Sequence, residues 1–441
     1  MPVSLRCALT QSIRTGVVLL SLFDLGAGRL LGQAGPPAEA KAPEAFLGIA
    51  DEYRVPGLED RRFTHEEYWV AVGSVLDDEE TTGRVSVTEL GRSLEGRAIR
   101  AVTLGQGPVS VLLWSQMHGD ESTASMSLAD ITHWWAVSPE DDPLRRQLAD
   151  RLTITMIPML NPDGAERFMR HDALGVDVNR DARRLATPEG RILKAARDSL
   201  QADFGFNLHD QGSRTAGPEG KLVGIALLAP AADEERSWGP VRQRARRLSG
   251  VIAAALQEEI PGRIARYDDS FTPRAFGDNM QRWGTSTVLI ESGALPDDPE
   301  KQQLRRLNVL AILAALESIA DGSLETASSA AYDDLPMNVE ITNDLLLIGG
   351  RVVMGAGAAY PLDVAIVYDD AVARTGPRYG EIGDLTGVRA LETVDVTGLY
   401  LHPEFDGGIL RRGDEVRLSV RRGADPASEL VRRIPELDGT R

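Results

Sequence analysis

Val109-Ser110-Val111-Leu112-Leu113-Trp114-Ser115-Gln116-Met117-His118-Gly119-Asp120-Glu121 decides the fold class. Residues 109–114 form a short apolar run with little of the in–out alternation of a half-exposed strand. Such a run suits a strand buried on both faces beneath helices. It stops abruptly in polar residues, and a helical pattern follows over 123–136.

The same grammar recurs on both sides. Apolar runs at 85–90, 99–104, 152–159, 204–208, 222–228 and 287–290 alternate with helical patterns at 189–199, 234–259 and 300–320. This order predicts an α/β fold with a mixed, largely parallel central sheet flanked by helices. One large domain is expected over 46–320, then a linker at 321–331. Residues 332–441 carry short alternating runs such as 345–354 and 363–367, and read as a small all-β domain.

The N-terminus reads as an export signal over 1–34. Arg6 and Arg14 precede the apolar stretch 15–23, and small residues follow at Gly32-Gln33-Ala34. The stretch is too short to span a bilayer, so export to the periplasm or medium is expected without stable membrane insertion. Residues 35–45, rich in Pro and Ala, read as a linker.

Composition narrows the chemistry. Apolar residues make up 42% and charged residues 26%, which permits a large core. A net charge of -18 opposes a phosphate backbone, so no nucleic-acid partner is expected. Cys7 is the only cysteine. It excludes an intramolecular disulfide and a cysteine-based zinc site, leaving histidines and carboxylates to hold any metal.

Ligands of α/β sheets bind where strands end, and four polar clusters lie at such ends. His118-x-x-Glu121 follows the first strand; a pair spaced i, i+3 at a helix start faces one side and can reach one ion. His209 ends the run 204–208. Two histidines, one carboxylate and one open position make the ligand set of a catalytic zinc. Asn161-Pro162-Asp163-Gly164 is a turn signal, followed by Arg170 and Gly175-Val176-Asp177-Val178-Asn179-Arg180. Glu291 ends the run 287–290. Taken singly, each has an ordinary reading: a capping Glu, a hydrogen-bonded core His, solvated arginines, an exposed loop acid.

In this order, and opening with Leu90-Gly91-Arg92-Ser93-Leu94-Glu95-Gly96-Arg97, the clusters resemble the zinc carboxypeptidase family of the pancreatic type, in a bacterial branch, over about residues 60–320. The resemblance implies a zinc-dependent hydrolase that removes C-terminal residues from peptides. It makes His118, Glu121 and His209 the metal ligands and Glu291 the general base. It makes Asp177 the partner that orients the first ligand histidine, and Arg170 the oxyanion partner, with Arg167 as a possible substitute. Asn179 and Arg180 would grip the substrate's free carboxylate. The implied partner is a peptide or small amide bearing such a carboxylate.

Some positions depart from the family. Asp120 stands inside the metal motif where the pancreatic enzymes carry a cation. Tyr267 is the nearest candidate for the family's mobile tyrosine, and Phe276 could fill part of that space. Arg274 and Asp278 carry opposite charges in the expected pocket wall, 267–279. Similar sites also cleave cell-wall peptides or remove acyl groups from amino acids, and a catalytically inactive binding protein could share the scaffold.

Overall fold

The computed structural model describes residues 43–76, 83–216, 221–355, 357–405 and 409–435. The expected export signal lies outside the described residues. Helix begins at Pro43 (Pro43–Glu52), inside the expected linker.

Ten strands matter to the site: β1 (Val85–Arg92), β2 (Ala98–Leu104), β3 (Val109–Trp114), β4 (Leu152–Ile157), β5 (Phe204–Asp210), β6 (Thr215–Ala216), β7 (Ile225–Leu228), β8 (Ile264–Arg266), β9 (Ser286–Ser292) and β10 (Val339–Glu340). Eight of them form one sheet in the order β1-β2-β4-β3-β5-β9-β7-β8. The central run β4-β3-β5-β9 is parallel. Antiparallel pairings flank it, β1–β2 and β2–β4 on one side and β7–β9 on the other. The sheet is therefore mixed with a parallel centre, as the unbroken apolar runs predict.

Both faces of the sheet are covered. Along β3, Val111 and Leu113 enter a core shared with the helices Thr123–Val137, Pro240–Leu256 and Gln302–Asp321. Their neighbours Leu112 and Trp114 enter the opposite core, with Leu193, Phe276 and Met280. The period of two along a strand sends successive side chains to opposite faces, and here each face meets helices.

Several boundaries shift for local reasons. The helix expected over 234–259 runs from Pro240 to Leu256, with Gly239 as its N-cap; proline at the first turn fits because its missing N–H has no intrahelical partner there. Residues 321–331 are not a loose tether. They hold the turn Ser323–Glu325 and the start of the helix Ala330–Asp333, whose Tyr332 is buried and accepts from Ala229 N–H with its hydroxyl oxygen at 3.2 Å. The run expected over 345–354 is two strands in two sheets, Asn343–Ile348 and Arg351–Met354, broken at Gly349 with φ 76°. The C-terminal region is thus a four-stranded and a five-stranded sheet around its own core, which includes Leu345, Val352, Ile366 and Leu401.

One buried ion pair ties the N-terminal helices to the core. Arg305 Nε lies 2.7 Å from Asp130 Oδ2 and Nη2 lies 2.5 Å from Oδ1. The guanidinium also donates to Val55 O and Leu58 O, and Asp130 Oδ1 accepts from Val55 N.

Candidate metal centre and substrate cleft

β3 delivers His118 and Glu121, but not on a helix. The helix starts at Thr123 with Ser122 as N-cap, so both residues lie in the preceding turn, closed by Glu121 N–H donating to His118 O at 3.1 Å. The expected helical i, i+3 geometry is corrected to a turn. Gly119 makes that turn possible: a Cβ there would stand 2.0 Å from the Gly164 carbonyl carbon. Any side chain would drive the metal motif off the Asn161-Pro162-Asp163-Gly164 turn. That turn is a brace. Asp163 accepts from Ser93 Oγ, Glu95 N and Arg97 Nη1, which explains why 90–97 and 161–164 occur together.

The next two strands complete the cluster. His209 on β5 and Glu291 on β9 are register partners. His118 Nδ1 and His209 Nδ1 each lie 2.7 Å from a different oxygen of Glu121. The three residues are buried, and their ligand atoms lie within 4.8 Å of one another. Two imidazole nitrogens and a carboxylate, with no thiolate, suit zinc. The other nitrogen of His118 stands 3.0 Å from Asp177 Oδ1; a carboxylate can only accept, so this nitrogen carries the proton and Nδ1 faces the cluster.

The charges agree with a cation site. Burial alone lowers the His118 imidazole, but Glu121 and Asp177 outweigh it and lift it to about 9. A cation at the cluster would replace that proton. Burial raises the Glu121 carboxyl, yet the two imidazoles hold it well below the usual carboxylate range. Burial and the Glu121 charge push Glu291 well above it.

Arg170 is the arginine of the site. Its Nη2 and Nε donate to Asp177 Oδ2 and its Nη1 to Glu121 Oε1 at 3.1 Å. Arg167 turns away, donating to Glu95 and to Asp163 O, so it is no substitute. Asn179 is buried and braces the wall: its Oδ1 accepts from Phe276 N at 2.9 Å, and its Nδ2 stands 3.5 Å from His209 Nε2. Arg180 is exposed, and its Nη1 donates to Asn179 O. Asp181 does not neutralise it, because that carboxylate accepts from Ala186 N, Thr187 N and Thr187 Oγ1. Asp210 is engaged with Lys301 and Thr123.

These residues open into one cleft of about 820 Å³, lined also by Asn207, Tyr267, Asp278 and Glu291. Tyr267 stands within the electrostatic reach of Glu291; burial first, then the Glu291 and Glu121 charges, raise its phenol. Arg274 is exposed and is not part of the lining, so of the two opposed charges only Asp278 faces the cleft. Burial pushes the Asp278 carboxyl up to about 6. Phe276 is buried in the core beneath the wall.

Sequence reasoning missed Asn207, which is 1% exposed and has both amide atoms unpaired among the described residues. The signal was present: Asn207 lies two residues before His209 on β5, hence on the same face. It also missed Asn338, Glu340, Ile341 and Thr342, which line the cleft from the far end of the chain. No periodicity could place them there.

Comparison with known proteins agrees with this site. Residues 77–208 match the model of the zinc carboxypeptidase family. An uncharacterized protein of Zymomonas mobilis is 29% identical over 132 residues, 27% of this chain and 32% of that protein. A probable carboxypeptidase 2 of Arthroderma benhamiae is 26% identical over 185 residues, covering 41% of this chain and 33% of its own. The chain thus spans about a third of the length of these curated relatives. Among solved structures, a metallo-carboxypeptidase from Burkholderia cenocepacia is 23% identical with a TM-score of 0.46, over 60% of this chain and 71% of that one. The family match contains His118, Glu121, Arg170 and Asp177 and ends one residue before His209, which the sheet then brings to the same cluster. The likeness to the zinc carboxypeptidase family model is thus confined to residues 77–208, the segment that holds the first two residues of the cluster.

Proposed function

We propose that this protein is a zinc-dependent hydrolase that removes C-terminal residues from peptides bearing a free carboxylate. One observation carries the reading: an exposed Arg180 opens into the same cleft as the His118, Glu121, His209 cluster and Glu291. Zinc, when bound, supplies Lewis acidity and makes a water more acidic.

The chain's own residues do the rest. Glu291, whose burial favours holding a proton, takes one from the attacking water and returns it to the leaving amine. Arg170, pinned by Asp177 and Glu121, presents its guanidinium to the charge developing on the carbonyl oxygen. Arg180 binds the terminal carboxylate, with bidentate geometry available to its fork. Asn179 holds the wall against Phe276 and so fixes where Arg180 begins.

The test compares one peptide with a free C-terminus and the same peptide amidated. The free form is expected to be cleaved at least about 10²-fold faster in kcat/KM, and Arg180→Ala to remove most of that preference. Equal cleavage of both by the wild type would replace this reading with an amidase or endopeptidase. Export is proposed as well, on Arg6, Arg14 and the apolar stretch 15–23; recovery of the intact N-terminus on the mature protein would reject it.

A further inference from the structure

The loop that follows the ligand His209 does not stand alone. Its end, β6, pairs antiparallel with β10 at the entrance to the C-terminal sheets. Ile341 N donates to Arg214 O at 2.6 Å, and Asn338 Nδ2 donates to Gln211 Oε1 at 2.6 Å. Arg214 Nε lies 3.1 Å from both oxygens of Asp344, and its Nη2 donates to Tyr368 O. Asp344 is 4% exposed and also accepts from Tyr368 N. The C-terminal region therefore fastens the segment 210–216 at Gln211, at Arg214 and at Thr215–Ala216.

The cleft has a second arm beyond the metal cluster. It holds about 450 Å³ and shares Glu121, Arg170, Asp210 and the residues 211–213 with the first. Arg180 and Asp278 line only the first arm, and Asp120 lines only the second. A peptide with its carboxylate at Arg180 and its last amide at the cluster must send its preceding residues past Glu121. The second arm, which shares Glu121 but not Arg180 with the first, is the candidate space for them. Its lining includes Asp369 and Asp370, at the end of the strand Asp363–Asp370, and Val372 in the turn that follows. Asp210, common to both arms with Glu121, is 8% exposed and keeps Oδ1 unpaired among the described residues.

We infer that the C-terminal β-region is a working part of the active site: through Arg214 and Asp344 it positions the loop 210–216, and with its turn at 369–372 it forms an upstream subsite for the residues preceding the scissile bond. This rests on the exopeptidase reading for the direction in which the peptide runs. Arg214 and Asp344 act as positioning residues, and Val372 as a specificity-determining one.

The experiment uses the full zinc-loaded chain carrying Glu291→Gln, so that binding is read by calorimetry without turnover. Peptides of two, three and four residues share one C-terminal residue. Lengthening is expected to tighten binding about tenfold, the size of one well-made subsite contact. Val372→Trp, a change on a half-buried turn, should reduce that gain to about twofold or less while dipeptide affinity stays as it was. Asp344→Ala should also shrink the gain and speed hydrogen exchange across 210–216, a change that a remote scaffold role would not produce. A length gain undiminished in both variants, or no gain in the parent, overturns the inference. Equal binding of amidated and free peptides overturns the exopeptidase reading instead, whatever the length series does.

Discussion

His209 and Glu291 face each other as register partners on the parallel strands β5 and β9. The pairing sets an imidazole of the His118, Glu121, His209 cluster and a carboxylate side by side without help from any loop. The proposed ligand on one strand and the proposed base on the next are held at a separation fixed by backbone hydrogen bonds, the most rigid support the fold offers.

Removing His209 should therefore empty the cluster of metal while the sheet survives. His209→Ala is expected to lose tightly bound zinc and to keep its far-UV circular dichroism. Elemental analysis after dialysis checks this, and full retention of zinc would reject the ligand assignment.

Glu291→Gln should keep both fold and zinc but lose turnover. Loss of a general base typically costs about 10²–10⁴ in rate, and here one group serves two proton transfers. Single-turnover kinetics on a free-carboxylate peptide give the comparison. Activity within a few-fold of the parent would remove Glu291 from the mechanism.

Asp130→Ala should be far more disruptive than its distance from the cleft suggests. It leaves the Arg305 guanidinium, 0% exposed, with only carbonyl partners and no counter-charge. Breaking a buried pair from one side costs about 3–5 kcal/mol. Urea denaturation should show that loss, and the double variant Asp130→Ala with Arg305→Leu should recover part of it. A loss below about 1 kcal/mol would mean the pair is not the brace described.

Glu189 gives the protein a pH slope. It is fully buried, with both carboxylate oxygens unpaired among the described residues, and burial pushes it from 4.5 up to about 7. Between those values the folded chain holds a proton that the unfolded chain releases. Stability from this group therefore falls as pH rises through that window and levels off above it, by at most roughly 3 kcal/mol. Glu189→Gln should flatten the curve between pH 5 and pH 8. Parallel curves for the two proteins would assign the slope elsewhere.

The sheet was legible because its strands are buried on both faces, so runs such as 109–114 and 204–208 carry no competing polar pattern. The residues of the His118, Glu121, His209 cluster were legible because they stand at the end of such a run or in the turn just beyond it. The helix His65–Ser74 was missed, its apolar residues spread around it with no single stripe. The exposure of Arg180 was not legible, because sequence adjacency to Asp177 says nothing about which way a side chain leaves a single 3-10 turn, Val178–Arg180. The split at Gly349 was invisible because the alternation continues on both sides of it, although the two halves join different sheets.

The order of β3, β5 and β9 in the sheet bears on how the molecule comes into being. These neighbours begin at residues 109, 204 and 286, so each pairing closes a long stretch of chain. Such non-local contacts form slowly, because loop entropy must be lost before any contact rewards it. During synthesis the first histidine and the glutamate emerge well before the second histidine, and the base emerges last. A nascent chain therefore cannot bring His118, Glu121, His209 and Glu291 together until its final central strand has docked.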